Sequence, residues 1–443
     1  MKTTNSQAEI RMGRTPRRRS ARRVTGFTTA AMLVGSLAAC EVTNPGPVQD
    51  EFLDLTEAHQ ALVNGAGAVL AGALGNIAVI GAHSAREVFP TGETSGCCSA
   101  VQQAGTLLSN GSAGQGVVPW NGAQQARWIG EDAIRRFVAL GAVKVNVNTF
   151  SQAYLWAGYA NRTLGENFCE AVFDGGPKEA NVKYFERARD HFTKAIEIGT
   201  GNNKLAAYAG RAAVRVWLKD WPGAVADAQQ VPLGFVHQLT TDIAAPATRN
   251  EIYYINANAP YRSYSGFQTW FEGYYKSTGD PRVPWATDSR FPFGNATLSG
   301  YGPVPWSFQQ KYTANNSPIR IATGREMVLI RAEAALVAGD WPAAMTLINS
   351  LRTSVVSRTT NQPLAPWTAT DLTQAWTFLK RERGIELYLE GRRLGDIRRW
   401  DENKTPGVLD WPNYEALAAL FRTNVPSKCF PIPDGEIETN PNF

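Results

Sequence analysis

The sequence predicts a mainly α-helical protein, a scaffold of paired-helix repeats that carries long, irregular, aromatic-rich loops. Three observations lead there. Arg211-Ala212 followed by Asp220-Trp221-Pro222-Gly223-Ala224 returns 120 residues later as Arg331-Ala332 followed by Asp340-Trp341-Pro342-Ala343-Ala344. Ala344, Leu347, Ile348 and Leu351 stand at the i, i+3, i+4, i+7 spacing of one buried helix face, and Phe185, Ala188, Phe192, Ala195 and Ile196 repeat that spacing upstream. Between the two repeat copies, Tyr253 to Tyr312 is dense in aromatic residues, Gly and Pro and has no helical period.

The elements follow from the N-terminus. Before Cys40 stand eight cations and one anion, so the formal charge of +5 for all 443 residues belongs to the leader and the remaining body is close to neutral. A neutral body offers no basic stripe, which excludes nucleic acid as a partner. Arg17 to Arg23 form a basic segment, and Val24 to Ala39 is an uncharged, largely apolar run of 16 residues. That is short of the roughly 20 residues a membrane-spanning helix needs and reads as a signal-peptide core. Leu37-Ala38-Ala39-Cys40 resembles a bacterial lipobox, which makes residues 1–39 a removable signal peptide and Cys40 the lipidated first residue. Residues 40–55 are then a tether, with two Pro and a Gly just behind Cys40, and residues 56–443 a domain held at a membrane by acyl chains. Its N-terminal part runs over about 56–235 and its C-terminal part over about 236–443.

Within the domain the expected hairpins cover about 150–198, 204–231 and 325–352, with a long last helix around 371–390. Ala188, Phe192 and Ala195 reproduce the Ala-x3-Phe-x2-Ala signature of a tetratricopeptide second helix. In each repeat copy the Trp-Pro opens a helix, with Pro in the first turn where its missing N–H does no harm. Loops without their own secondary structure are uncommon unless they have a function. The aromatic insertion and a second irregular stretch, Ser84–Gly122, are therefore the expected binding segments. Cys97, Cys98, Cys169 and Cys429 show no metal-ligand spacing and read as buried thiols or one structural disulfide. The four His are isolated. No metal or other cofactor is expected.

The motifs together resemble the SusD/RagB family. The resemblance rests on Cys40 with Asn44-Pro45-Gly46 behind it, Asp280-Pro281-Arg282, and Arg331-Ala332-Glu333-Ala334 with Asn349 and Arg352. It continues through Glu382-Arg383, Ile385-Glu386-Leu387, Glu390-Gly391, Arg393, Asp396 and Arg399 to Pro431-Ile432-Pro433, Glu436-Ile437 and Asn440-Pro441. It implies an outer-membrane, cell-surface lipoprotein on a tetratricopeptide-like scaffold. Such a protein binds a nutrient, usually a glycan, and acts as lid for a SusC-like TonB-dependent transporter.

Glu382, Glu386 and Glu390 fall at i, i+4, i+8, a like-charge row that needs compensation. Two carboxylates are also what glycoside hydrolysis requires. Nearby arginines keep carboxylates ionised and provide no general acid, so the row is read as a structural ion-pair network with Arg393 and Arg331, and no catalytic residue is assigned. For the ligand, indole faces are the natural platforms. Trp285, beside Arg282 and Asp288, is the first expectation, Trp306 the second and Trp120 the third, with Arg282 as the charged contact. A peptide or other nutrient held by the same lid, a glycoside hydrolase, and a tetratricopeptide scaffold that binds only protein are the competing readings.

Overall fold

The computed structural model describes residues 50–91, 105, 107, 109, 119–243, 248–298, 302–410 and 427–443. Cys40, the leader, residues 41–49 of the tether, Cys97, Cys98 and most of the Ser84–Gly122 stretch lie outside the described residues. Asp50–Phe443 is one compact unit. Residues 50–54, expected to be tether, belong to that unit: a short helix over Asp50–Asp54 is tied down by Arg136, which bonds Asp54 at 3.0 Å and also pairs with Asp50.

As expected, the chain is mainly helical. The helices are α1 (Thr56–Ser84), α2 (Pro119–Leu140), α3 (Val147–Asn167), α4 (Val182–Ile198), α5 (Gly201–Trp217), α6 (Trp221–Ala228), α7 (Trp270–Thr278), α8 (Gly324–Val337), α9 (Trp341–Arg352), α10 (Leu372–Glu386), α11 (Arg393–Glu402) and α12 (Asp434–Thr439). From α1 to α6 each packs on the next, and α5 and α6 pack on α8, so the two repeat copies meet directly. The parts on either side of residue 235 thus share one body. By length and composition α1 could cross a membrane, yet 78% of its most apolar window is buried inside the protein. It is the central core helix, and its Ala/Gly-rich sequence lets α2 and α3 approach closely.

Phe192, the aromatic of the tetratricopeptide signature, shows why these hairpins need small residues. Its ring is fully buried among α3, α4 and α5. A Cβ on Gly158 would come within 2.7 Å of it, and one on Gly210 closer still. In both repeat copies the Asp before Trp-Pro caps the second helix: Asp220 accepts from the Gly223 N–H at 3.0 Å and Asp340 from the Ala343 N–H at 3.1 Å. Trp221 and Trp341, which open those helices, are half-buried against the core.

The insertion is more ordered than its composition suggests. Its base is closed by Val236–Leu239 pairing antiparallel with Ile319–Thr323. Inside, Trp285–Ala286 pairs with Phe308–Gln309, Phe293–Leu298 with Gly302–Pro305, and Tyr264–Ser265 with Phe89–Pro90. The insertion also contains α7, capped by the Thr269 hydroxyl at the Glu272 N–H and ended by Gly279 at φ 65°. At the other end of the fold, Cys169 and Cys429 form a disulfide, which decides between the two readings left open for them.

Candidate ligand-binding site

The last long helix stops earlier than its periodicity suggests. α10 ends at Glu386, because Leu389 (φ 55°) and Gly391 (φ 69°) take left-handed backbone and turn the chain. Glu382 and Glu386 therefore stay on one helix, whereas Glu390 sits in the turn and faces different partners. Arg282 Nη1 donates to Glu386 at 3.1 Å and also to Glu382, while its Nε and Nη2 bind Asp280 at 3.0 and 2.7 Å. Arg325 reaches Glu386 at 2.9 Å. Glu390 takes Lys311 and Arg320, each at 2.7 Å.

Two expected members of this network lie elsewhere. Arg393 donates to the backbone oxygens of Ala85 and Asp410 and lies over the Phe271 ring, 5.0 Å from its centroid. Arg331 makes no ion pair among the described residues. Its counterpart Arg211 holds Asp227 through two 2.8 Å bonds, but the position matching Asp227 in the second copy is Leu347, which offers no acceptor. Two further clusters complete the network. Arg392 holds Glu166 and Glu326, and Arg399 holds Glu333 and Asp396. Glu166 stands more than 200 residues from Arg392, a separation no helical period reveals.

Burial argues against acid–base chemistry here. Burial opposes ionisation of Glu386, but Arg282, Arg325 and Arg320 outweigh it and hold its carboxyl below the usual range. Glu382 goes the other way, raised by burial despite Arg282, and it is fully enclosed, so no substrate atom reaches it.

The indole platforms are also placed otherwise than expected. Trp285 is 6% exposed, Trp306 3% and Trp120 2%. Trp285 packs near Gly266 and the Tyr388 ring; Trp306 stacks on Phe308 with centroids 4.5 Å apart and donates to Asn256 O at 3.3 Å; Trp120 meets Phe168 edge to face at 5.0 Å. None of the three presents a ring face to solvent. For Trp285 and Trp306 the reason is the short strand ladders of the insertion, which fold its large rings inward where burying them stabilises most; Trp120 stands in the first turn of α2 and is buried by helix packing.

Of the four expected ligand residues, Arg282 lines a cavity among the described residues. Helix α7 ends at Gly279, and the following Asp280-Pro281-Arg282 turn is pinned by Asp280, which accepts the Arg282 N–H at 3.0 Å and the Tyr274 hydroxyl at 2.9 Å. This turn forms one wall of a groove of about 420 Å³, within the roughly 300–1,000 Å³ of small-ligand sites. Lys311 and Gln310 leave the insertion on a second side, Arg320 comes from the strand at the insertion base, and Arg358 from the loop after α9. Sequence reading missed Lys311, Arg320 and Arg358; they belong to separate elements and share no motif.

Near Lys311 the fully buried Glu87 accepts the Leu389 N–H at 2.8 Å. Burial, only partly offset by that bond and by Arg393 and Lys311, raises its pKa from 4.5 to about 7. The folded protein then keeps a proton that the unfolded chain releases over pH 4.5 to 7, so stability falls as pH rises through that window, by up to about 3 kcal/mol. Glu87→Gln is expected to remove this slope and to exceed the unsubstituted protein in stability above pH 7. Denaturant midpoints across pH check it, and parallel curves for the two proteins would refute it.

Residues 249–443 match the model of the SusD family. The fold is similar to that of solved SusD superfamily proteins. One from Bacteroides thetaiotaomicron has a TM-score of 0.63 at 15% identity, covering 87% of this chain and 98% of that one. One from Bacteroides fragilis has 0.62 at 14%, covering 88% and 98%. A SusD-like carbohydrate binding protein from Bacteroides vulgatus has 0.57 at 16%, covering 78% and 83%. No curated protein matches.

Proposed function

We propose that this protein, whose residues 249–443 match the SusD family model and whose fold is similar to that of SusD superfamily proteins, captures a nutrient glycan in the groove between Arg282 and Arg358. It then delivers the glycan to a SusC-like TonB-dependent transporter of the outer membrane. The observation that carries the reading is the groove itself, which apart from Gln238 is built on the matched segment and is lined by polar side chains from four separate parts of the chain. Similarity to a SusD-like carbohydrate binding protein supports the ligand class. In this reading the protein binds and does not cleave, since the carboxylates beneath the groove are committed to arginines and lysine.

The same reading places the protein at the cell surface, with residues 1–39 removed and Cys40 acylated. The Cys169–Cys429 disulfide supports an exported protein, because such bonds persist in oxidising compartments. The expected result for the anchor is that intact mass of membrane-extracted protein shows a diacylglyceryl-Cys N-terminus and that Cys40→Ala moves the protein to the soluble fraction. A mature chain starting elsewhere refutes it. For capture, calorimetric titration with a panel of oligosaccharides and peptides decides the ligand class, and co-purification of a β-barrel transporter decides the lid role. Binding of peptides alone favours the non-glycan form of the same lid.

A further inference from the structure

Three cavities differ in the charge of their walls. The one of about 310 Å³ includes Arg127, Asp174 and Glu436, and the one of about 470 Å³ includes Asp434 and Glu436. The 420 Å³ groove is lined by Arg282, Lys311, Arg320 and Arg358 together with Gln238 and Gln310, and by no carboxylate among the described residues. Its acids are underneath. Glu382, Glu386 and Glu390 are all buried and approach the cations from the protein side.

The pairing leaves charge facing the groove. Arg358 is exposed and has no anionic partner among the described residues; its backbone N–H is held by Gly279 O at 2.8 Å, which fixes the loop it stands on. Arg320 spends Nε and Nη2 on Glu390 and on the Glu386 carbonyl, leaving Nη1 without a protein acceptor among the described residues, and its side chain is 27% exposed. Lys311 gives two of its three donors to Tyr388 O and Glu390. Arg282 lies on the floor with its charge already met by three carboxylates, so the free donors of the groove are those of Arg320, Arg358 and Lys311. A neutral sugar would need none of this, since hydroxyls are satisfied by amides and backbone. Unspent guanidinium donors converging on one concave surface match a planar or tetrahedral oxyanion, which arginine recognises with paired, charge-assisted bonds.

We propose that this groove selects an anionic saccharide, one bearing carboxylate or sulfate groups, with Arg320 and Arg358 contacting the anion and Gln238 and Gln310 the hydroxyls. The proposal rests on the capture reading above and adds the class of its ligand.

The experiment is calorimetric titration of the folded protein with an oligogalacturonate, a sulfated oligosaccharide and a neutral oligosaccharide of equal length, at about 0.05 and 0.5 M salt. The expected result is that one acidic ligand binds at least about tenfold tighter than the neutral one at low salt, and that high salt removes most of this preference. The uronate and sulfate arms identify which anion is preferred. Arg358→Gln, at an exposed position with no partner to orphan, is expected to weaken acidic binding about tenfold. Arg290→Gln, which removes an exposed cation paired with Asp288 outside the groove, is expected to change nothing. Equal affinity for neutral and acidic ligands overturns the anion selection and leaves capture standing. Unchanged acidic binding by Arg358→Gln, or an equal loss from Arg290→Gln, overturns the groove assignment. If no oligosaccharide binds at all, the glycan reading fails with it.

Discussion

Glu386→Ala is expected to lower folding stability by about 3–5 kcal/mol, because it breaks a buried ion-pair network from its centre. Glu386 is 1% exposed and lies between Arg282 at 3.1 Å and Arg325 at 2.9 Å. Arg282 keeps Asp280 and Glu382, and Arg325 keeps Ser354 and the Leu351 carbonyl, but Arg325, largely enclosed at 24% exposure, is left without a carboxylate. Most of the loss comes from that orphaned charge rather than from the strength of any one bond. Urea titration of variant and parent is the measurement, with ligand affinity of the still-folded variant within a few fold of the parent. A loss below about 1 kcal/mol, the range of an exposed pair, would sink the structural reading. A normal fold with abolished binding would place Glu386 in the site.

Removing the Cys169–Cys429 bond is expected to cost about 2–5 kcal/mol. The two cysteines are 260 residues apart, so the bond withdraws a large loop-closure entropy from the unfolded chain. Its position explains what it holds. Cys169 follows α3 directly, the Cys169 N–H donates to Phe430 O at 3.0 Å, the Phe430 N–H donates to Asn167 O at 2.7 Å, and the Phe168 and Phe430 rings stand 5.4 Å apart. The bond staples the C-terminal segment to the repeat scaffold. Melting of the Cys169→Ser/Cys429→Ser double variant, and of the parent with and without reductant, tests this. Coincident melting curves would show that the backbone bridge and ring contact suffice alone.

Sequence and fold correspond unevenly along the chain. The Asp-Trp-Pro repeats predict helix starts correctly because capping and proline placement act within one turn, between residues such as Asp340 and Ala343 that are neighbours in the chain. Phe192 is legible as a buried anchor for the same reason: its helix face repeats at short spacing. The row of Glu382, Glu386 and Glu390 reads as one face, and that holds for the first two alone. The helix ends at Glu386 because Leu389 and Gly391 take left-handed backbone, a property of the tertiary turn that periodicity does not encode.

Sequence alone therefore determined the helical class, the hairpin starts and the resemblance to the SusD family, the first two of which arise from interactions between residues close in the chain. Tertiary structure decided what faces solvent. Trp285, Trp306 and Trp120 look like platforms in loops whose Gly and Pro suggest exposure; strand pairs such as Trp285–Ala286 with Phe308–Gln309 turn the first two inward, and Trp120 is buried in the first turn of α2. Arg320, Lys311 and Arg358 are unremarkable in sequence and become a groove only when the insertion base, its last strand and the loop after α9 are brought together. Burial and charge convergence depend on partners separated by tens to hundreds of residues, and local pattern carries no record of that distance.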